Sequence, residues 1–397
     1  MGKWNRNSCC GPGLRTLFFC LACFYWNAIR GNTQDIAPQA EPIVLRDLSL
    51  IRGKTVSDFD DASITLSDGT RLTWDQILKA RVPGNRQTEF DLKLQQLGLP
   101  LFRLKTRIGN GDWIGAGEIS GAIYDSSIAH GKAPADVDTE YLVCLATMKN
   151  RMGQSNRAGA IMPFLRAAQL QSDVSASVLE MVGTRGIPPR DQELGLSREL
   201  LPIWFDNSGL EDTARQLRQL LKAPTADNGP PPQPGLTVYL ASLMIELGQT
   251  EEALSLLRSL KLDSDAELDG WQTVLEARIH QKTNNGLDAQ TILELDANKI
   301  TGTARPVSLY YRGINVGNQQ GTSDLDRSKA ILTLLRIPAL YGSEYRDLSA
   351  AAIYQAAEIA ELREHTADAQ KLRDELLRRY PRTYHGRLET NQRAGRL

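Results

Sequence analysis

Histidine is scarce in this chain: His130, His280, His365 and His385 are the only four in 397 residues, and no two lie within a helical turn of one another. That excludes an HExxH zinc site and any local pair of imidazole ligands. Cysteine is scarce where it would matter. Cys9, Cys10, Cys20 and Cys23 fall at the extreme N-terminus and Cys144 stands alone afterwards, so a chain without its leading segment has no intramolecular disulfide. Cys144 lies in the apolar stretch 141–146 and is expected as a buried, inert thiol. No apolar run reaches the roughly 20 residues of a membrane-spanning helix. Catalytic motifs are equally thin. Gly53-Lys54-Thr55 imitates the end of a phosphate loop, but Leu48 stands where its first glycine should be. Gly109, Gly111, Gly115, Gly117 and Gly121 never meet GxGxxG spacing. Asp58, Asp60 and Asp61 lack the twelve-residue loop of a calcium site, and no GxSxG elbow occurs. No catalytic residue, metal ligand or cofactor site is expected from these patterns.

What is present begins with export. Lys3, Arg6 and Arg15 precede the ten-residue apolar run 17–26 (LFFCLACFYW), and polar and small residues follow; this succession reads as a signal peptide over residues 1–34. An uncleaved anchor and a lipid on Cys23 remain alternatives, because no clean small-x-small triplet follows the run. The formal charge of −1 hides an acidic body between this basic start and a basic end, residues 371–397, with eight bases against three acids. An acidic body repels phosphate backbones, so nucleic acid is not an expected partner. Peripheral membrane association is left open, as is the oligomeric state.

Residues 42–82 carry short β-rich runs, with Asp68-Gly69 between two of them as a strong hairpin signal. From about residue 87 the period becomes helical. One interruption is expected, the proline-rich linker 223–235 (APTADNGPPPQPG), which separates a helical block over 87–222 from a second over 236–385. Residues 386–397 are expected as a basic tail.

Small residues recur twelve apart with a turn-former between: Ala146, Gly153 and Ala158; Ala241, Gly248 and Ala253; Ala277, Asn284 and Ala289; Ala357, Glu364 and Ala369. Small side chains let two helix axes approach, and glycine or asparagine ends the first helix in a left-handed residue. Gly313 and Ala330, seventeen apart, imply a longer turn. Together with residues 245–254 (IELGQTEEAL) and 375–383 (ELLRRYPRT), this pattern resembles the tetratricopeptide family. The fold class expected is mainly α: helical-hairpin, tetratricopeptide-like repeats behind a small N-terminal β unit. Residues 66–77 (LSDGTRLTWDQI), 90–113 and 194–206 (LGLSRELLPIWFD) make the whole chain similar to an uncharacterised exported family of planctomycete bacteria, which implies export and this order of domains and no activity.

Stacked hairpins form a concave face without built-in chemistry. The functional expectation is an exported envelope protein that binds another polypeptide; the alternative is an exported enzyme with its site between the β unit and the first helical block. In tetratricopeptide repeats first-helix residues line the concave side, and counting from Ala277, Gly313 and Ala357 selects Trp271, Arg278, Tyr310, Tyr354, Glu358 and Glu361 as the partner-binding groove. The competing possibility is that Trp271, Tyr310 and Tyr354 pack between hairpins.

Overall fold

The computed structural model describes residues 41–131, 136–188, 195–222, 234–260, 266–283, 300–319 and 321–395. Residues 1–34, expected as a signal peptide, most of the expected linker, and Asn284 and Ala289 lie outside the described residues.

Alternating apolar residues make the β unit two small antiparallel sheets. One has the order β2-β1-β6 (Leu50–Ile51, Ile43–Leu45, Ile77–Lys79) and the other β3-β4-β5 (Val56–Phe59, Ile64–Leu66, Arg71–Leu72). The Asp68-Gly69 hairpin forms where expected. Gly69 takes φ 81, and the Asp68 carboxylate accepts from the Thr70 backbone N–H at 3.1 Å. Phe59 and Trp74 meet Phe90 of the first helix, α1 (Gln87–Lys93), at ring distances of 5.4 and 5.2 Å. The unit is too small to bury much surface alone, and this aromatic triad fastens it to the helices.

Helical hairpins follow: α2 (Leu99–Gly109) with α3 (Trp113–Ser126), and α4 (Val137–Gly153) with α5 (Arg157–Leu170). Asp112, Asp136 and Asn156 cap α3, α4 and α5 by accepting backbone N–H groups, each contributing about 1 kcal/mol. After α6 (Ala176–Val182) and α7 (Leu210–Lys222) come α8 (Pro234–Glu246) with α9 (Thr250–Ser259), then α10 (Ala266–Lys282). The last hairpins are α11 (Ala304–Asn318) with α12 (Asp324–Tyr341), and α13 (Arg346–Glu361) with α14 (Thr366–Arg379); α15 (Tyr384–Ala394) closes the array. The recurring alanines lie at the helix contacts: Ala146, Ala158, Ala241, Ala253, Ala357 and Ala369 are all buried. Gly313 shows the same close approach, since a Cβ there would stand 2.5 Å from Leu334 Cγ.

Four details differ from the sequence reading. Gly248 supplies the left-handed turn after α8 (φ 78), but after α4 Ser155 does so (φ 67) while Gly153 stays helical. Ser155 is held there by Arg387, which reaches its hydroxyl and donates to the Gly153 carbonyl at 2.8 Å. Pro234 and Gly235 belong to α8 and not to the linker, because proline is tolerated in the first turn, where its missing N–H has no helical partner. The first helical block is not helical throughout: residues 195–209 form an irregular strip, bounded by Gly195 and Gly209 at positive φ and interrupted by Pro202. The expected basic tail 386–397 is helical as far as Ala394, within α15, because Thr383 caps that helix and Glu389 is buried against Arg373.

Candidate partner-binding groove

The first helices α8, α10, α11, α13 and α15 stack side by side, and their inward faces form one continuous surface. Its central stretch is filled by the chain itself. In the strip 195–209, Leu196, Leu200, Leu201, Ile203 and Trp204 are buried. The Tyr239 hydroxyl of α8 accepts from the Ser197 N–H at 3.2 Å and donates to the Leu200 carbonyl at 2.8 Å. The Trp204 indole N–H donates to Ser242 Oγ at 3.0 Å. Phe205 lies edge-on to Tyr310 of α11 at 6.0 Å and to His385 of α15 at 5.0 Å. Ion pairs close the ring around the strip: Arg157 of α5 reaches Asp347 of α13 at 2.5 Å and the Glu199 carbonyl at 2.6 Å, and Arg198 meets Glu344 at 3.2 Å.

The six residues selected by the repeat register do not share one environment. Trp271 is fully buried, its indole N–H donating to Thr303 Oγ1 at 2.9 Å. Tyr310 is 6% exposed beneath Phe205, and burial pushes its hydroxyl pKa up, further than neighbouring Arg278 lowers it. Both residues are corrected from groove to core, for one reason: their faces point inward as expected, but other parts of the same chain already cover them. Arg278 is half-buried and paired bidentately with Glu246 at 2.9 and 3.2 Å. Burial disfavours the Glu246 carboxylate, yet Arg278 and Lys282 outweigh this and hold its pKa below the usual range.

Tyr354, Glu358 and Glu361 are brought together. With Asn318, Gln355 and Leu362 they line an open pocket of about 410 Å³ at the C-terminal end of the surface. Tyr354 stacks against His385 at 5.1 Å and its hydroxyl accepts from Gln392 at 3.2 Å. Both glutamates, each 40% exposed, bind the buried guanidinium of Arg373: Glu358 at 2.6 Å, and Glu361 through both its oxygens. Burial opposes the charge of Arg373, but the hydrogen bonds it donates to Glu361 and Glu358 raise its pKa overall. Two surface carboxylates are thus fixed in position by one buried cation, and the pocket is net negative.

Two side chains of potential reactivity are buried, Cys144 and His385. Burial pushes the Cys144 thiol up and lowers His385 to about 4. Among the described residues, no group of three or more His, Cys, Asp or Glu side chains is placed to hold a metal ion. A second pocket, about 300 Å³ between α2 and α3 near the β unit, is lined by Leu97, Pro100, Ile119, Ala122 and Ile123 with Gln96, Arg103 and Ser126, and carries neither acid nor histidine. Asn318, Gln355 and the strip 195–209 were not selected by sequence. The strip did carry a signal, since LPIWF crowds apolar residues around a proline between helical blocks, but nothing local says which surface it fills. Comparison with protein-family models, curated proteins and solved structures finds no match to this chain.

Proposed function

We propose that this is an exported helical-repeat protein of the cell envelope that binds a non-helical segment of another polypeptide at the open end of its inward surface, through Tyr354, Gln355, Glu358 and Glu361. One observation carries the reading. The same surface already holds a non-helical strip of its own chain, through backbone hydrogen bonds to Tyr239 and the aromatic contacts of Trp204 and Phe205. Immediately beyond that strip the surface continues as an open pocket with two positioned carboxylates. Its charge favours a segment with a lysine or arginine beside an apolar residue. The test is photocrosslinking from Gln355 in the native envelope, repeated with Tyr354→Ala and Glu358→Gln. A discrete crosslinked polypeptide that both substitutions weaken, at unchanged stability, supports the reading; crosslinks unaffected by either substitution overturn it.

A further inference from the structure

We infer that the outer face of the first sheet of the β unit docks on an anionic lipid surface, with Leu48 as the side chain that enters it. Strand pairing defines this face. Val44 stands opposite Leu50 on one side and Lys79 on the other, and residues paired across antiparallel strands project to the same side. The register slips between Val44 and Leu45, a bulge that sets Leu78 beside Lys79. Leu50 and Leu78 are 46% and 43% exposed, whereas Ile43 and Ile77 on the opposite face are buried. Leu48, in the turn between β1 and β2, is 73% exposed and has φ 68. Asparagine or glycine would fit that left-handed conformation with less strain and meet water better. In a free turn the leucine is therefore unfavourable twice over, and an apolar medium covering it removes the larger penalty.

Charge points to the occupant. Arg52, Lys79 and Arg103 are exposed and make no ion pair among the described residues, while Lys54, Arg81 and Arg86 are bound to Asp68, Glu41 and Asp58. Arg46 lies over the Phe102 ring at 4.8 Å. Its pKa is lowered mainly by burial, which the nearby Asp75 opposes and the nearby Arg103 reinforces; Asp75 itself is paired with Lys105. The acid of this turn, Asp47, is exposed beside Leu48 and accepts from the Ser49 hydroxyl and N–H at 2.6 and 2.9 Å, bonds that lower its pKa and keep it charged; it stands against four bases, Arg46, Arg52, Lys79 and Arg103. A leucine raised on a turn needs a matching socket in a protein partner but none in a deformable lipid interface, and unpaired bases on the same side suit anionic headgroups.

The full chain and its variants are compared by cosedimentation with vesicles of phosphatidylcholine alone and of phosphatidylcholine with about 30% phosphatidylglycerol, an anionic composition. Every sample carries residues 1–40, so any contribution from them is common to all. The parent is expected to partition at least about tenfold better on the anionic vesicles and to release as salt rises. Arg52→Glu with Lys79→Glu should lose at least about tenfold on anionic vesicles and nothing on neutral ones. Leu48→Asn, which the turn accepts with less strain, should lose about tenfold on anionic vesicles while its urea midpoint stays equal to the parent's or rises. Equal partition of parent and variants, equal binding to both vesicle types, or binding to neither overturns the proposal; the last result would assign the face to a protein.

Discussion

Tyr310 and Tyr354 occupy the same repeat position, three places before the small residue of their helices, yet one is core and the other borders an open pocket. The filled and the open stretches of the inward surface differ in what lies over them and not in how their helices are built. Phe205 covers Tyr310, whereas Tyr354 packs at the edge of the cluster of Ile353, Leu376 and Tyr380, with the ring of His385 and the Gln392 amide against it, and stays partly exposed. Repeat register therefore fixes direction, and exposure is decided by remote parts of the chain.

The largest expected effect tests this directly. Tyr310→Ala should cost about 3–5 kcal/mol, as large-to-small substitutions of buried aromatics do, while Tyr354→Ala costs under about 1.5 kcal/mol; urea denaturation with an unchanged slope measures both. Equal losses would erase the distinction between the two stretches.

His385 sits at their boundary, ringed by Phe205, Tyr354 and Tyr384, and its folded pKa is lowered to about 4 from 6.5. Below pH 6.5 the unfolded chain takes up a proton that the folded chain refuses until about pH 4. Stability is therefore full above pH 6.5 and falls as pH drops through that window, by about 2 kcal/mol at pH 5. His385→Phe should flatten the difference between urea midpoints at pH 7 and pH 5.

Ala241 and Ala253 are both buried on the contacting helices α8 and α9, so Ala253→Leu should cost about 1–3 kcal/mol by overpacking without changing any crosslink from Gln355. The smallest effect belongs to the open pocket. Glu358→Gln leaves Arg373 its bonds to Glu361, and because Glu358 is 40% exposed the expected loss in urea denaturation is below about 1 kcal/mol. A large loss there would make the pocket part of the fold's framework.

Much of the fold was legible because its signals are local. The Asp-Gly hairpin, the buried alanines twelve apart and the turn at Gly248 all follow from steric rules acting over a few residues. Three of the six groove residues, Tyr354, Glu358 and Glu361, come together for the same reason, since spacing on one helix fixes a shared face. Ser155 was missed because its left-handed turn depends on Arg387, more than 230 residues away. Residues 386–397 read as a basic tail because their bases outnumber their acids, and only the packed structure pairs Arg393 with Asp374 and Glu389.

The sequence by itself determined which residues form hairpins, where small side chains let helices touch, and which way each first helix faces, since these depend on side-chain size and a 3.6-residue period. Tertiary structure alone decided that residues 195–209 fill the centre of the inward surface, that Trp271 and Tyr310 are core, and that Glu358 and Glu361 share one buried guanidinium. Those outcomes rest on contacts between residues far apart in the chain, made when the ring closes through Arg157 and Asp347, and no local pattern encodes which distant surface a segment will cover.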